Sequence, residues 1–171
     1  LRRELCSTLL EAGEAREALS RLHEDEELRR EPEGLFIEGR ILTELGDLEA
    51  SLERMRRAMA LEKRPAMRVR IALELLRLEI DRGRYQEAKR LALEMLELDL
   101  GNDDEATVRE RLGVILGYLG ELDDAREHLE EARKRQSGSK SDRRGQIRLL
   151  STQAHIAFRS NDLHGAVEHY E

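Results

Sequence analysis

Apolar residues recur along the chain at spacings of three and four, the period of a helix with one oily face. Leu35, Ile41, Leu42 and Leu45 do so, as do Leu48, Leu52, Met55 and Met59. Leu112, Ile115, Leu116 and Leu119 repeat the pattern, followed by Leu122, Ala125, Leu129 and Ala132. No run alternates with the period of a strand over a useful length. The stripes are broken at five places by one six-residue punctuation: Gly13-Glu14-Ala15-Arg16-Glu17-Ala18, Gly46-Asp47-Leu48-Glu49-Ala50-Ser51, Gly83-Arg84-Tyr85-Gln86-Glu87-Ala88, Gly120-Glu121-Leu122-Asp123-Asp124-Ala125 and Asn161-Asp162-Leu163-His164-Gly165-Ala166. Successive copies begin 33, 37, 37 and 41 residues apart. Gly or Asn tolerates the left-handed backbone that ends a helix. The acid that often follows suits the positive end of the next helix. The apolar third residue packs back across the turn, and the small sixth residue lets two helices come close.

The pattern predicts ten helices in five antiparallel pairs. The first helices are about 1–12, 33–45, 65–82, 103–119 and 142–160, and their partners about 14–29, 47–63, 84–99, 121–136 and 162–171. Charge placement agrees, since Glu121, Asp123 and Asp124 open one helix and Arg133, Lys134 and Arg135 close it. Pro65 suits a first helical turn. The linker Ser137-Gly138-Ser139-Lys140-Ser141-Asp142 is expected to be the most mobile point.

Hairpins repeated in this way cannot bury their apolar faces alone and must lean on their neighbours. The arrangement resembles the tetratricopeptide repeat family, a helix-turn-helix unit of about 34 residues with small residues at inner positions. Leu112, Gly113, Leu116, Gly120, Ala125, Leu129 and Ala132 carry the resemblance in the fourth copy, and Leu35, Gly39, Leu42, Gly46, Ser51, Met55 and Ala58 in the second. The third supplies Leu75, Gly83, Tyr85, Ala88, Ala92 and Met95, and the incomplete fifth Ala154, Asn161, Leu163, Ala166 and Tyr170. The fold implied is all-α, a right-handed α-solenoid of about five antiparallel helix pairs. The array would occupy residues 1–171, with repeats at roughly 1–31, 32–64, 65–101, 102–140 and 141–171. Two residues depart from the family pattern. Leu76 stands where Gly or Ala is preferred, which predicts a splayed third pair, and Glu79 takes a place usually large and apolar. The long units also resemble the helical arms of bacterial signalling ATPases and transcription activators.

Composition narrows the function classes. The 171 residues carry 30 basic and 37 acidic side chains, a formal charge of −7, and only 3% aromatics. An acidic chain with few stacking rings does not suit nucleic acid. No run of 18 apolar residues suits a membrane span. The N-terminus lacks the apolar run of an export signal, which favours a cytoplasmic protein. The missing initiator Met and the end inside an amphipathic helix suggest a piece of a longer protein. Cys6 has no partner for an internal disulfide and reads as a small buried apolar residue. The histidines, His23, His128, His155, His164 and His169, lack metal-ligand spacing, and no phosphate loop or nucleophile turn occurs. No cofactor, no metal and no catalysis are expected.

By the family's pattern the first helices line a concave groove. Its wall would carry Phe36, Arg40 and Thr43; Arg70, Leu73, Arg77 and Ile80; Thr107, Glu110, Val114 and Tyr118; and Arg148, Ser151, His155, Phe158 and Arg159. Five arginines stand against one acid, with apolar residues between, a combination suited to an acidic and apolar peptide. The plainer account of the same residues is solvated arginines, with Phe36, Ile80 and Phe158 completing the inter-helix core. The chaperone-tail clamp of some relatives needs Lys and Asn where this chain has Arg3 and Ser7, Phe36 and Arg40, Leu73 and Arg77, so that role is not expected. The leading expectation is a protein-interaction scaffold or sensor module that presents a groove to a protein or peptide. The alternative is a regulatory arm packing on an ATPase, kinase or DNA-binding module of its own longer chain. A third is homo-oligomerisation through the uncapped C-terminal end, at Leu163, Val167 and Tyr170.

Overall fold

A computed structural model describes residues 2–98 and 100–136, with Leu150, Ser151 and Ala154. Among these residues every regular element is helical: α1 (Arg2–Glu11), α2 (Ala15–His23), α3 (Glu26–Arg30), α4 (Pro32–Glu44), α5 (Leu48–Leu61), α6 (Pro65–Asp81), α7 (Tyr85–Leu96), α8 (Asn102–Leu119) and α9 (Leu122–Gln136). The chain divides within α6 into two compact units, Leu1–Leu78 and Glu79–Glu171.

Four of the five punctuation marks lie in the described residues, and all four make the same turn. Gly13, Gly46, Gly83 and Gly120 have φ of 79°, 82°, 70° and 83°, the left-handed region. The next residue donates its N–H to the carbonyl five residues back: Glu14 to Leu9, Asp47 to Leu42, Arg84 to Glu79 and Glu121 to Leu116. That bond closes the preceding helix with a Schellman motif. The small residue at the sixth place, Ala18, Ser51, Ala88 or Ala125, is fully buried where the next helix begins. The fifth mark, at Asn161, and the predicted helix 162–171 lie outside the described residues. So does the Ser/Gly linker. Of the predicted helix 142–160 only Leu150, Ser151 and Ala154 are described, and all three are helical.

The predicted helix 14–29 is two helices. Asp25 leaves helical geometry at φ −114°, ψ 88°, and its side chain accepts the N–H of Leu28, so α3 restarts with its own cap. The short helix is then held against α4 by a glycine. A Cβ at Gly34 would stand 1.8 Å from the Leu28 carbonyl oxygen, so only Gly admits this approach.

In the first unit α4 packs along α5, and α1, α2 and α3 pack on α4. Cys6, Leu10, Ala15, Ala18, Leu22, Leu28, Ile37 and Ile41 form a continuous buried cluster. Gly39 faces Met55 and the Ser51 carbonyl, and buried Ser51 donates from Oγ to the Gly39 carbonyl at 2.8 Å. Arg68 of α6 donates to the Met59 and Glu62 carbonyls at 3.1 Å each, which satisfies the free C-terminal end of α5. In the second unit α7 packs on α8 and α8 on α9. Gly113 meets Leu129 and the Ala125 carbonyl as Gly39 meets its partners. Glu105 of α8 pairs with Arg109 at 2.8 Å and with Arg135 of α9 at 3.0 Å. Those hydrogen bonds, Arg109's first, hold its carboxyl below the usual range despite partial burial. Leu76 is fully buried, and Glu79 is 3% exposed.

Candidate functional site

The first unit contributes Phe36 and Arg40 from α4 and Arg70 and Arg77 from α6. Phe36 is 2% exposed, and the Arg70 guanidinium covers it, with Cζ 5.4 Å from the ring centroid. A cation over an aromatic face is attracted by the ring quadrupole, by about 0.5–1 kcal/mol at an accessible site. Phe36 therefore completes the packing between two successive first helices, and Arg70 is what solvent meets there. Arg40 is half-buried. Arg77 is also half-buried and donates from Nε to Glu74 Oε2 at 3.0 Å, three residues back on the same helix. Thr43 faces inward to Ser51, with the two hydroxyl oxygens 2.8 Å apart.

The second unit contributes Ile80, Thr107, Glu110, Val114 and Tyr118. Ile80 and Val114 are half-buried. Thr107 donates back to the Asp103 carbonyl of its own helix at 2.9 Å. Glu110, the single acid of the expected wall, is 2% exposed and turned into the fold. Tyr118 is 49% exposed and stacks on Tyr85, with centroids 4.5 Å apart and planes 8° from parallel. The sequence placed Tyr85 only as the apolar residue of its turn. Its pairing with Tyr118 brings together the third position of one turn and the last full turn of the next first helix, a neighbourhood that appears only once the hairpins are stacked. Ser151 is exposed, whereas Arg148, His155, Phe158 and Arg159 lie outside the described residues, as do Leu163, Val167 and Tyr170.

Other chemistry is sparse. Among the described residues no group of three metal-ligating side chains converges, and no helix is long and apolar enough to cross a membrane. Cys6 is buried between α1 and α2, its Sγ 3.8 Å from the Ala18 carbonyl, and burial together with the nearby Asp25 charge pushes the thiol up. A thiol held that way is a poor nucleophile. Burial, then the charge of Arg109, lowers His128 below the ordinary histidine range, so it is neutral near pH 7.

No protein-family model matches the chain, and no curated protein matches it in sequence. Solved structures do match. MamA from Desulfovibrio magneticus is similar over 99% of this chain and 89% of its own, at 19% identity and a TM-score of 0.78. PilF from Pseudomonas aeruginosa is similar over 99% of this chain and 72% of its own, at 18% identity and 0.79. A putative kinesin light chain of Podospora anserina, described as nearly identical TPR-like repeats, matches over 99% and 89%, at 17% identity and 0.79. At such identities the likeness is one of fold, and it spans nearly the whole chain. The repeated glycine turns, the small residues behind them and these neighbours agree: in fold, the chain is a helical repeat protein of the tetratricopeptide type.

Proposed function

We propose that the chain is a non-catalytic protein-interaction scaffold whose first-helix face takes an acidic peptide with apolar side chains. The observation that carries this reading is the Arg70 guanidinium laid over Phe36. It sets a charged fork at the surface of an otherwise acidic protein, on a ring that limits its motion. A fork held in place loses less entropy when it pairs with a carboxylate. Arg40 and Arg77 stand on the same pair of first helices, and the one acid expected among these positions, Glu110, is turned away. The occupant comes from another protein or from a different segment of a longer chain of its own, as in a regulatory arm. A peptide added in trans reports on the surface in both cases.

The test compares two labelled peptides of equal length by fluorescence anisotropy, one alternating Glu with Leu and Phe, the other alternating Lys with the same residues. The acidic peptide is expected to bind and the basic one not. Reversing two charges, Arg40→Glu with Arg70→Glu, is expected to weaken the acidic peptide by about a hundredfold, two charge-assisted contacts at roughly tenfold each. Equal binding of both peptides, or affinity unchanged by the charge reversal, would remove the proposal.

A further inference from the structure

A second cationic site lies on the first unit, away from the first-helix face. It is a pocket of about 340 Å³ between α3, α4 and α5. Four arginines line it, Arg29 and Arg30 from α3 and Arg54 and Arg57 from α5, with Glu26 and Glu38 as the acids. Leu35 of α4, 2% exposed, supplies the apolar part of the wall. The close approach permitted by Gly34 is what brings α3 over this part of α4.

The charges in the pocket do not balance. Glu38 is 5% exposed, and its two oxygens are already engaged: Oε2 lies 3.1 Å from Arg54 Nε and Oε1 lies 3.4 Å from His23 Nε2. Glu26 pairs with Arg30 at 3.4 Å on the same short helix. Arg29 and Arg57 are then left over. Arg29 Nε is buried and has no hydrogen-bond acceptor among the described residues. Arg57 is exposed and has no ion pair among them. Two guanidinium groups without carboxylates therefore share the pocket with a third, Arg54, that is anchored by a buried acid.

We propose that this pocket binds a dianionic phosphate monoester, gripped by Arg29 and Arg57 and bordered by Arg54. Two uncompensated cations match two negative charges. A single carboxylate would neutralise only one of them, whereas a phosphate monoester carries about −1.5 to −2 at neutral pH. Guanidinium forks pair two N–H groups with two phosphate oxygens, a geometry that lysine does not offer. The volume is within the range of small-molecule sites, roughly 300–1,000 Å³, so there is room for the group that carries the phosphate. This site is independent of the peptide face. It shares none of Phe36, Arg40, Arg70 and Arg77, and either reading can fail alone.

Calorimetric titration of the purified chain at constant ionic strength tests the proposal with four probes: inorganic phosphate, N-acetylphosphoserine amide, adenosine monophosphate and N-acetylglutamate amide. The three phosphate probes are expected to saturate one site per chain, with the glutamate probe at least about tenfold weaker. Arg29→Gln and Arg57→Gln are each expected to weaken the phosphate probes about tenfold or more, the loss of one charge-assisted contact. Arg16→Gln, on an exposed face of α2, is expected to change nothing. Because Arg57 is exposed, its variant leaves the α3–α4 packing intact and reports on binding alone. Tightest binding by the phosphoserine probe identifies a phosphorylated protein as the source, and tightest binding by the nucleotide identifies a small metabolite. Absence of saturable binding, equal binding of the glutamate probe, or affinity unchanged in both variants of retained helicity would overturn the proposal.

Discussion

Glu62 ends α5 with a side chain that is almost fully buried and accepts four hydrogen bonds. The N–H groups of Lys63 and Arg64 reach Oε1 at 2.9 and 2.8 Å, and the Arg64 guanidinium reaches Oε1 at 3.0 Å and Oε2 at 2.8 Å. The Arg64 side chain does most to lower this carboxyl to about 2, against the cost of burial and with help from the two backbone donors. The ordinary value is 4.5, so the unfolded chain takes up the proton first as pH falls. The stability Glu62 contributes is therefore fully present above about pH 4.5 and is lost as pH falls toward 2. Arg64 is 61% exposed, so solvent screens part of the ion pair, while the backbone bonds are unaffected by that exposure. Glu62→Gln is expected to cost about 1–2 kcal/mol at pH 7 and to flatten the stability profile between pH 4.5 and 2. Urea unfolding across that range checks both effects, and parallel profiles for the two proteins would contradict them. Nothing in the sequence singled out Glu62. Its role depends on the chain folding back through Arg64 into α6, and a single acid at a helix end does not announce that.

At the scale of elements, the turns were the most legible feature because their requirement is local. A helix that must stop and reverse within two residues needs a residue tolerant of positive φ, then a polar one, then a small one at the crossing. Five copies of one punctuation state that requirement plainly. Gly46 tests it cleanly, since a Cβ added there would meet nothing within 4 Å. Gly46→Ala is expected to lose about 1–2 kcal/mol from backbone conformation alone. Gly46→Asn is expected to lose less, because Asn enters the left-handed region more readily. Denaturant midpoints would show the order Gly, Asn, Ala, and an Ala variant as stable as the parent would contradict the turn assignment. The break between α2 and α3 was missed for the opposite reason. Residues 14–29 keep a helical composition throughout, and the interruption rests on the Asp25 side chain outcompeting one turn of backbone bonding. Asp25 followed by Glu26 and Glu27 was the available signal, an N-cap with acids in the first turn.

For the molecule as a whole, periodicity carried the fold, while the candidate surfaces depend on how the helices pack. Phe36 and Arg70 are 34 residues apart, one repeat length, and their contact exists only because successive first helices lie side by side. The sequence placed both on one wall but showed neither that the ring is buried nor that Glu110 is turned inward. The phosphate pocket was less visible still. Its arginines come from two separate second-helix segments, and only the surplus charge left after Glu38 and Glu26 are paired marks it out. The proposed contact surface for an acidic partner consists of the first-helix arginines of the first unit. Side-chain and backbone NMR of the labelled chain, titrated with the acidic Glu/Leu/Phe peptide, tests it most directly. Saturable shifts are expected at the Arg40 and Arg70 guanidinium signals and at the Phe36 ring, with α5 undisturbed. Shifts confined to α5, α7 and α9, or a spectrum that does not change, would contradict it.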